Sequence, residues 1–257
     1  MYPNLFGIND FSYVFMIIVG VIAALTLLFI FLYKKGVPSN SFLDLAIVSL
    51  ATIFMGVVFA ILFENVYEAI KHAISGEAQS WTWAMTFYGG LIGGVPTFIL
   101  IYKFYYLRHN KPILSKVVII APACITLAHA FGRIGCLLAG CCYGIEAVNG
   151  NGMMFPGHDH PLVPTQLIES IFLFTLSIGL IILSFKYNFS YTFVIYAIFY
   201  GIFRFIIEFF RGDERGQVGP LSPSQIICLI AIIFAIPLYI FLKKKMPKQV
   251  EEQADEI

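Results

Sequence analysis

The chain has 257 residues, 59% of them hydrophobic and 12% charged. Soluble domains carry roughly 25% charged residues, so water is not what most of this surface meets, and composition argues against a soluble protein; no nucleic-acid partner is expected. The net charge of +1 conceals a strong asymmetry in where the basic residues fall.

Mostly apolar runs, long enough to cross about 30 Å of hydrocarbon, fall at 12–33, 45–63, 86–106, 116–138, 165–185, 191–210 and 222–242. They predict an all-α polytopic membrane protein. Seven transmembrane helices would form a single domain over 1–245, with a short polar tail at 246–257. The opening "MYPNLFGINDF" lacks a basic stretch and a small-residue cleavage site, so the first run reads as a retained span and not as a signal peptide. Lysine and arginine concentrate in short cytoplasmic loops. With the N-terminus outside and the C-terminus cytoplasmic, the inner side receives Lys34, Lys35, Lys103, Arg108, Lys111, Lys116, Lys186, Lys243, Lys244, Lys245 and Lys248. The outer side receives only Lys71, Arg211 and Arg215.

The third run opens on "FYGGLIGG" at 87–94. Its glycines allow close backbone approach, either to a neighbouring helix or to a bound head group. Tyr88 adds a hydroxyl where an interfacial tyrosine is expected.

The fourth run ends in "HAFGRIGCLLAGCCYG" at 129–144. Arg133 would cost about 2.5–3.5 kcal/mol facing lipid, so it should turn into the bundle or a wet cavity. Its planar fork of donors suits a phosphate or a carboxylate. His129, one helical turn earlier, shares its face and reads either as a base or as a hydrogen-bonded structural partner. Cys136, Cys141 and Cys142 admit packing or a bridge from Cys136, a nucleophilic thiolate, or a metal site. The spacing fits no zinc finger or ribbon, and adjacent cysteines do not easily serve one tetrahedral ion, so no metal is assigned. A vicinal bridge would be strained. Cys124 and Cys228 read as small packing residues within spans.

The sixth run ends in "YGIFRFIIEFFRGDERG" at 200–216. On one helix, Arg204, Glu208 and Arg211 would form a single polar face. An internal ion pair needs one arginine, whereas this face carries two, and Arg133 has no carboxylate near it in sequence. The surplus positive charge implies an anion, and in a bilayer the abundant one is a lipid phosphate. A channel or transporter would need polar residues along a whole path, and here they cluster toward one half.

Taken in order, "YGGLIGG", "GRIG", "PTQLIES", "YGIFRFIIEFFR" and "SPSQIICLIAI" resemble the prolipoprotein diacylglyceryl transferases of bacterial membranes. The resemblance implies a multi-pass enzyme of the bacterial cytoplasmic membrane. It would move a diacylglyceryl group from phosphatidylglycerol to the thiol of a preprolipoprotein lipobox cysteine and release glycerol phosphate, without a soluble cofactor. Arg133 and Arg204 would hold the phosphate, Glu208 would orient them, and His129 or Tyr88 would assist proton removal. Gly89, Gly90, Gly132, Cys136, Gln166, Glu169, Tyr200 and Arg211 would line the substrate site.

The chain departs from the family's motifs in three places. Tyr88-Gly89-Gly90 stands where members read H-G-G. Cys136, Ala139 and Cys141 stand at the polar positions of N-F-x-N-x-E, and "VPTQLIE" replaces H-P-S-Q-L-Y-E, with His160-Pro161 displaced upstream. Either His129 replaces the lost base, or the lipid clamp serves another acceptor. A membrane thiol or metal protein using the three cysteines is the remaining alternative.

Overall fold

The computed structural model describes residues 11–75, 81, 86–103, 113–212 and 221–245. Arg108, Lys111, Arg215, Lys248 and the tail at 246–257 lie outside them. The described residues form helices α1 (Phe11–Lys34), α2 (Asn40–Ser75), α3 (Phe87–Ile101), α4 (Leu114–Ala139), α5 (Thr165–Tyr187), α6 (Thr192–Ile207) and α7 (Pro223–Lys245). Among them no strand forms, only isolated bridges. Six segments are long and apolar enough to cross a bilayer: Phe11–Lys34, Ser41–Ile70, Ser115–Ala139, Thr165–Tyr187, Thr192–Phe210 and Pro223–Lys243. The chain is a multi-pass membrane protein.

Within the third expected span, 86–106, the described residues form α3, which has 15 residues and covers about 22 Å; positions 104–106 lie outside the described residues. α2 extends beyond the second expected span. Its 36 residues continue well past 63, because Glu64, Glu68 and His72 form a polar stripe at helical spacing, with His72 Nε2 3.5 Å from Glu68 Oε2.

The chain divides into two compact units, Gly36–Leu114 and the remainder. Within the first, glycines bring α3 onto α2. A β-carbon on Gly89 would run into the Phe59 carbonyl and lie 2.7 Å from the Ala60 Cα, and one on Gly93 would strike the Phe59 side chain. The glycine-rich opening of α3 is therefore a helix-packing face of the small-residue kind.

In the second unit, α1 lies antiparallel to α4. A β-carbon on Gly20 would sit 2.9 Å from the Ala128 carbonyl oxygen, and one on Gly135 would sit 3.2 Å from Tyr13 and Met16. At the far end, Lys116 Nζ donates to the Lys35 carbonyl at 2.9 Å.

α5 meets α4 along a serine seam. Ser170, Ser177 and Ser184 donate at 3.1 Å to the carbonyls of Ala130, Ala123 and Ile119 respectively. Leu173 and Leu180 are fully buried between them. The seven-residue repeat is the spacing at which a helix presents one stripe to an antiparallel neighbour. In lipid, hydrophobic burial gives little drive for helix association, so small residues and hydroxyls supply the contact. Pro122, inside α4, has no N–H to donate to the Val118 carbonyl. The neighbouring Ile119 carbonyl accepts from both Ser184 and Thr192.

Candidate functional site

α4, α5 and α6 bring His129, Arg133, Glu169 and Tyr200 together, far from the lysine end. Glu169 is completely buried on the stripe that carries the serine seam, so its carboxylate faces α4 and α6. Arg133 Nε lies 3.0 Å from Glu169 Oε2. Tyr200 donates its hydroxyl proton to Glu169 Oε1 at 3.0 Å. His129 Nε2 stands 3.9 Å from that same oxygen, with its ring edge-on to Tyr200 at 5.3 Å between centroids. Arg133, His129 and Arg204 all act electrostatically on Glu169, so both guanidinium groups belong to one field.

Arg133 is therefore not without a carboxylate, as its surroundings in sequence suggested. Its partner comes from α5, a relationship that only packing reveals. Glu208 serves Arg204 instead, with Arg204 Nη2 2.6 Å from Glu208 Oε2. Among the described residues, the three arginines and two carboxylates leave one positive charge in surplus, fewer than the sequence implied.

Glu208 is fixed from α7. Ser222 donates to Glu208 Oε1 at 2.9 Å. The Ser222 oxygen also accepts the Gln225 amide at 3.2 Å, while Gln225 Oε1 accepts the Ser222 amide at 2.9 Å. This is a reciprocal capping box with Pro223 at the first helical position. The "SPSQ" segment thus starts α7 and orients the carboxylate that holds Arg204. Arg204 is buried, and its Nη1 has no hydrogen-bond partner among the described residues. A buried donor of that kind is costly unless an acceptor meets it.

Arg211 does not continue the helical face. α6 ends at Ile207, a 3-10 turn spans Glu208–Phe210, and Arg211 is extended at φ −82°, ψ 137°. Cross-chain backbone bonds displace the helix. Ile145 N donates to the Phe210 carbonyl at 2.9 Å, and Gly212 N to the Tyr143 carbonyl at 3.3 Å. A β-carbon on Gly144 would meet the Phe210 oxygen at 2.5 Å, so glycine there permits the crossing. Arg211 is buried and hydrogen-bonds the Cys142 sulfur.

The connection after α4 closes over the start of α5. Gln166 Nε2 donates to the Cys141 carbonyl and Thr165 Oγ1 to the Cys142 carbonyl, the latter at 2.8 Å. All five cysteines are free thiols. The sulfurs of Cys136, Cys141 and Cys142 lie within 4.8 Å of one another, so the adjacent pair faces one point together with Cys136. The reason is a left-handed Cys142, at φ 65°. Hydrogen bonds from Cys136 and Cys141, and then the Arg211 guanidinium, hold the Cys142 thiol well below its ordinary range. Cys141 is pushed the opposite way, by its hydrogen bonds to Cys136 and Cys142 and by burial.

A β-carbon on Gly132 would meet nothing within 4 Å, so there is open space one residue from Arg133. Gly89 and Gly90 belong to α3 in the other compact unit, where the Gly89 α-hydrogen faces the α2 backbone. Tyr88 lies in the same helix, and its side chain is outside the described residues.

The sequence profile of the prolipoprotein diacylglyceryl transferases matches residues 3–241. The chain belongs to this family of transferases. It is 35% identical over 258 residues to phosphatidylglycerol--prolipoprotein diacylglyceryl transferase 2 of Clostridium perfringens, covering 97% of this chain and 98% of the relative. It is 36% identical over 259 residues to the phosphatidylglycerol--prolipoprotein diacylglyceryl transferase of Clostridium tetani, covering 96% and 98%. A relative of the same name from Dehalococcoides mccartyi is 29% identical over 242 residues, covering 91% and 89%.

Proposed function

We propose that the chain transfers the diacylglyceryl group of phosphatidylglycerol to the lipobox cysteine thiol of a preprolipoprotein, in a bacterial cytoplasmic membrane. The sulfur forms a bond to the glyceryl carbon, the bond from that carbon to the phosphate ester oxygen breaks, and glycerol phosphate departs. The thiol proton passes to His129, beside Glu169, with Tyr88 as the other acceptor. Arg133 and Arg204 receive the charge that develops on the leaving phosphate, where preorganised donors act most strongly. Glu208 orients Arg204 and Glu169 orients Arg133. Gly132, Cys136, Gln166, Tyr200 and Arg211 line the site, and Gly89 and Gly90 shape the helix that carries Tyr88. The observation that carries this reading is the Arg204 Nη1 donor, buried without an acceptor among the described residues and beside a field of surplus positive charge.

The same reading counts α3 as a seventh crossing, with the N-terminus outside and the C-terminus cytoplasmic. Lys34 lies over Phe185, Lys35 meets Lys116, and Lys186 ends α5, which gathers these lysines at one end of the second unit. Positive charge of this kind marks the cytoplasmic side.

The test is reconstitution of the full chain in phosphatidylglycerol vesicles with a lipobox peptide. The expected products are a thioether-linked diacylglyceryl peptide and glycerol phosphate in equal amounts. Unmodified peptide and intact lipid, from protein shown to be folded, would overturn the proposal.

A further inference from the structure

The end of α4 is built in a way that the transfer reaction does not require. Gly140 is left-handed at φ 77°. Cys141 N donates to the Cys136 carbonyl at 3.1 Å, and Gly140 N to the Leu137 carbonyl at 3.2 Å. These two bonds define a Schellman cap, which folds the residue after the glycine back over the last full turn. A hydrophobic pair usually makes that fold-back contact; here Cys141 meets Cys136. The next residue, Cys142, is left-handed again at φ 65°, a conformation that disfavours a side chain with a β-carbon. Glycine would fit that backbone without strain, yet a cysteine occupies it and joins the other two sulfurs.

We propose that Cys136, Cys141 and Cys142 form a three-thiolate site for one soft, thiophilic cation of the Cu(I) type, held on the C-terminal cap of α4. Three sulfurs bonded at about 2.3 Å to one ion in a plane stand about 4 Å apart. The observed spread, within 4.8 Å, closes on such an ion with sub-ångström movement. Among the described residues the grouping holds no fourth histidine or carboxylate. Three soft donors with no fourth protein ligand suit Cu(I) better than a four-coordinate structural zinc.

The surroundings fit an anionic complex. Three thiolates around a monovalent cation carry two surplus negative charges, and the Arg211 guanidinium is hydrogen-bonded to one of the sulfurs. Arg133 also acts electrostatically on Cys136 and Cys142. Access is provided by Cys141, which is exposed, while Cys136 is buried. The carbonyls of Cys141 and Cys142 are held by Gln166 and Thr165, so the turn is braced before any ion arrives. Ion binding at this cap does not depend on the transfer reaction, although Cys136, Gln166 and Arg211 also line the proposed transfer site.

The experiment uses the full-length protein, reduced and anaerobic, with Cu(I) supplied from a chromophoric chelator. One equivalent should leave the chelator, and X-ray absorption should give three sulfur neighbours. Each of Cys136→Ser, Cys141→Ser and Cys142→Ser should weaken binding by at least the roughly 10–100-fold that even outer-shell changes cost, with thermal unfolding as the check on folding. The Cys124→Ser/Cys228→Ser variant should bind as the parent does. Retained uptake in the triple serine variant, no uptake by the parent, or a thiol assay showing two of the three cysteines already bridged in freshly isolated protein would each overturn the proposal.

Discussion

Arg133 of α4 and Glu169 of α5 meet at 3.0 Å in the interior, and Glu169 also takes the Tyr200 hydroxyl. The pair joins the seam that holds the bundle to the groups proposed for chemistry. Removing one partner of a buried pair costs about 3–5 kcal/mol, whereas replacing both with apolar residues of similar volume is often neutral. Glu169→Ala should therefore lower the melting temperature in detergent sharply, and Arg133→Met/Glu169→Leu should recover most of it. Transfer activity should be lost in both. Recovery of transfer in the double variant would show that the pair only steadies the fold.

Ser222 carries two duties, as cap of α7 and as donor to Glu208. Ser222→Ala should cost about 0.5–2 kcal/mol of stability through the cap. It should also lower kcat more than it raises KM, because Arg204 loses its oriented partner. Ser222→Thr, which keeps the hydroxyl, should restore most of kcat. An alanine variant with reduced stability but unchanged kcat would assign Ser222 to the helix alone.

Gly89 and Gly132 should respond oppositely to alanine. At Gly89 the new methyl meets the α2 backbone, and overpacking of this kind costs about 1–3 kcal/mol. At Gly132 it meets nothing within 4 Å, so the melting temperature should hold. A raised KM for phosphatidylglycerol in Gly132→Ala, with stability intact, would place the lipid beside Arg133; unchanged kinetics would remove Gly132 from the substrate path.

The spans were legible because membrane helices are apolar all round, and hydropathy needs no partner to be read. Helical spacing extends the α6 face to Arg211 because it cannot register the Gly212 bond to the Tyr143 carbonyl and the Ile145 bond to the Phe210 carbonyl, which end the helix. The Arg133–Glu169 pair was invisible for a related reason, since its members come from different helices. The capping box at Ser222 and Gln225 was readable as S-x-x-Q with proline between, but its grip on Glu208 was not. The serine seam had a signal, three serines at seven-residue spacing in an apolar run, which apolar counting passes over.

That seam gives a graded test. Ser177→Ala should cost about 0.6 kcal/mol, the average for interhelical hydrogen bonds in a membrane. Leu180→Ala, fully buried on the same stripe, should cost about 2–5 kcal/mol through the cavity it leaves. Equal losses in detergent unfolding would contradict a packing-led interface.

Two guanidinium groups acting together on a departing phosphate stand at the centre of the proposed chemistry. The most direct measurement is the single-turnover rate of lipobox peptide modification in phosphatidylglycerol vesicles, comparing the parent with Arg133→Ala/Arg204→Ala. Loss of a single preorganised donor costs about 10²–10³ in rate, so the double variant should fall at least that far while its helical content is preserved. A folded double variant that still modifies the peptide at a rate close to the parent's would contradict the account.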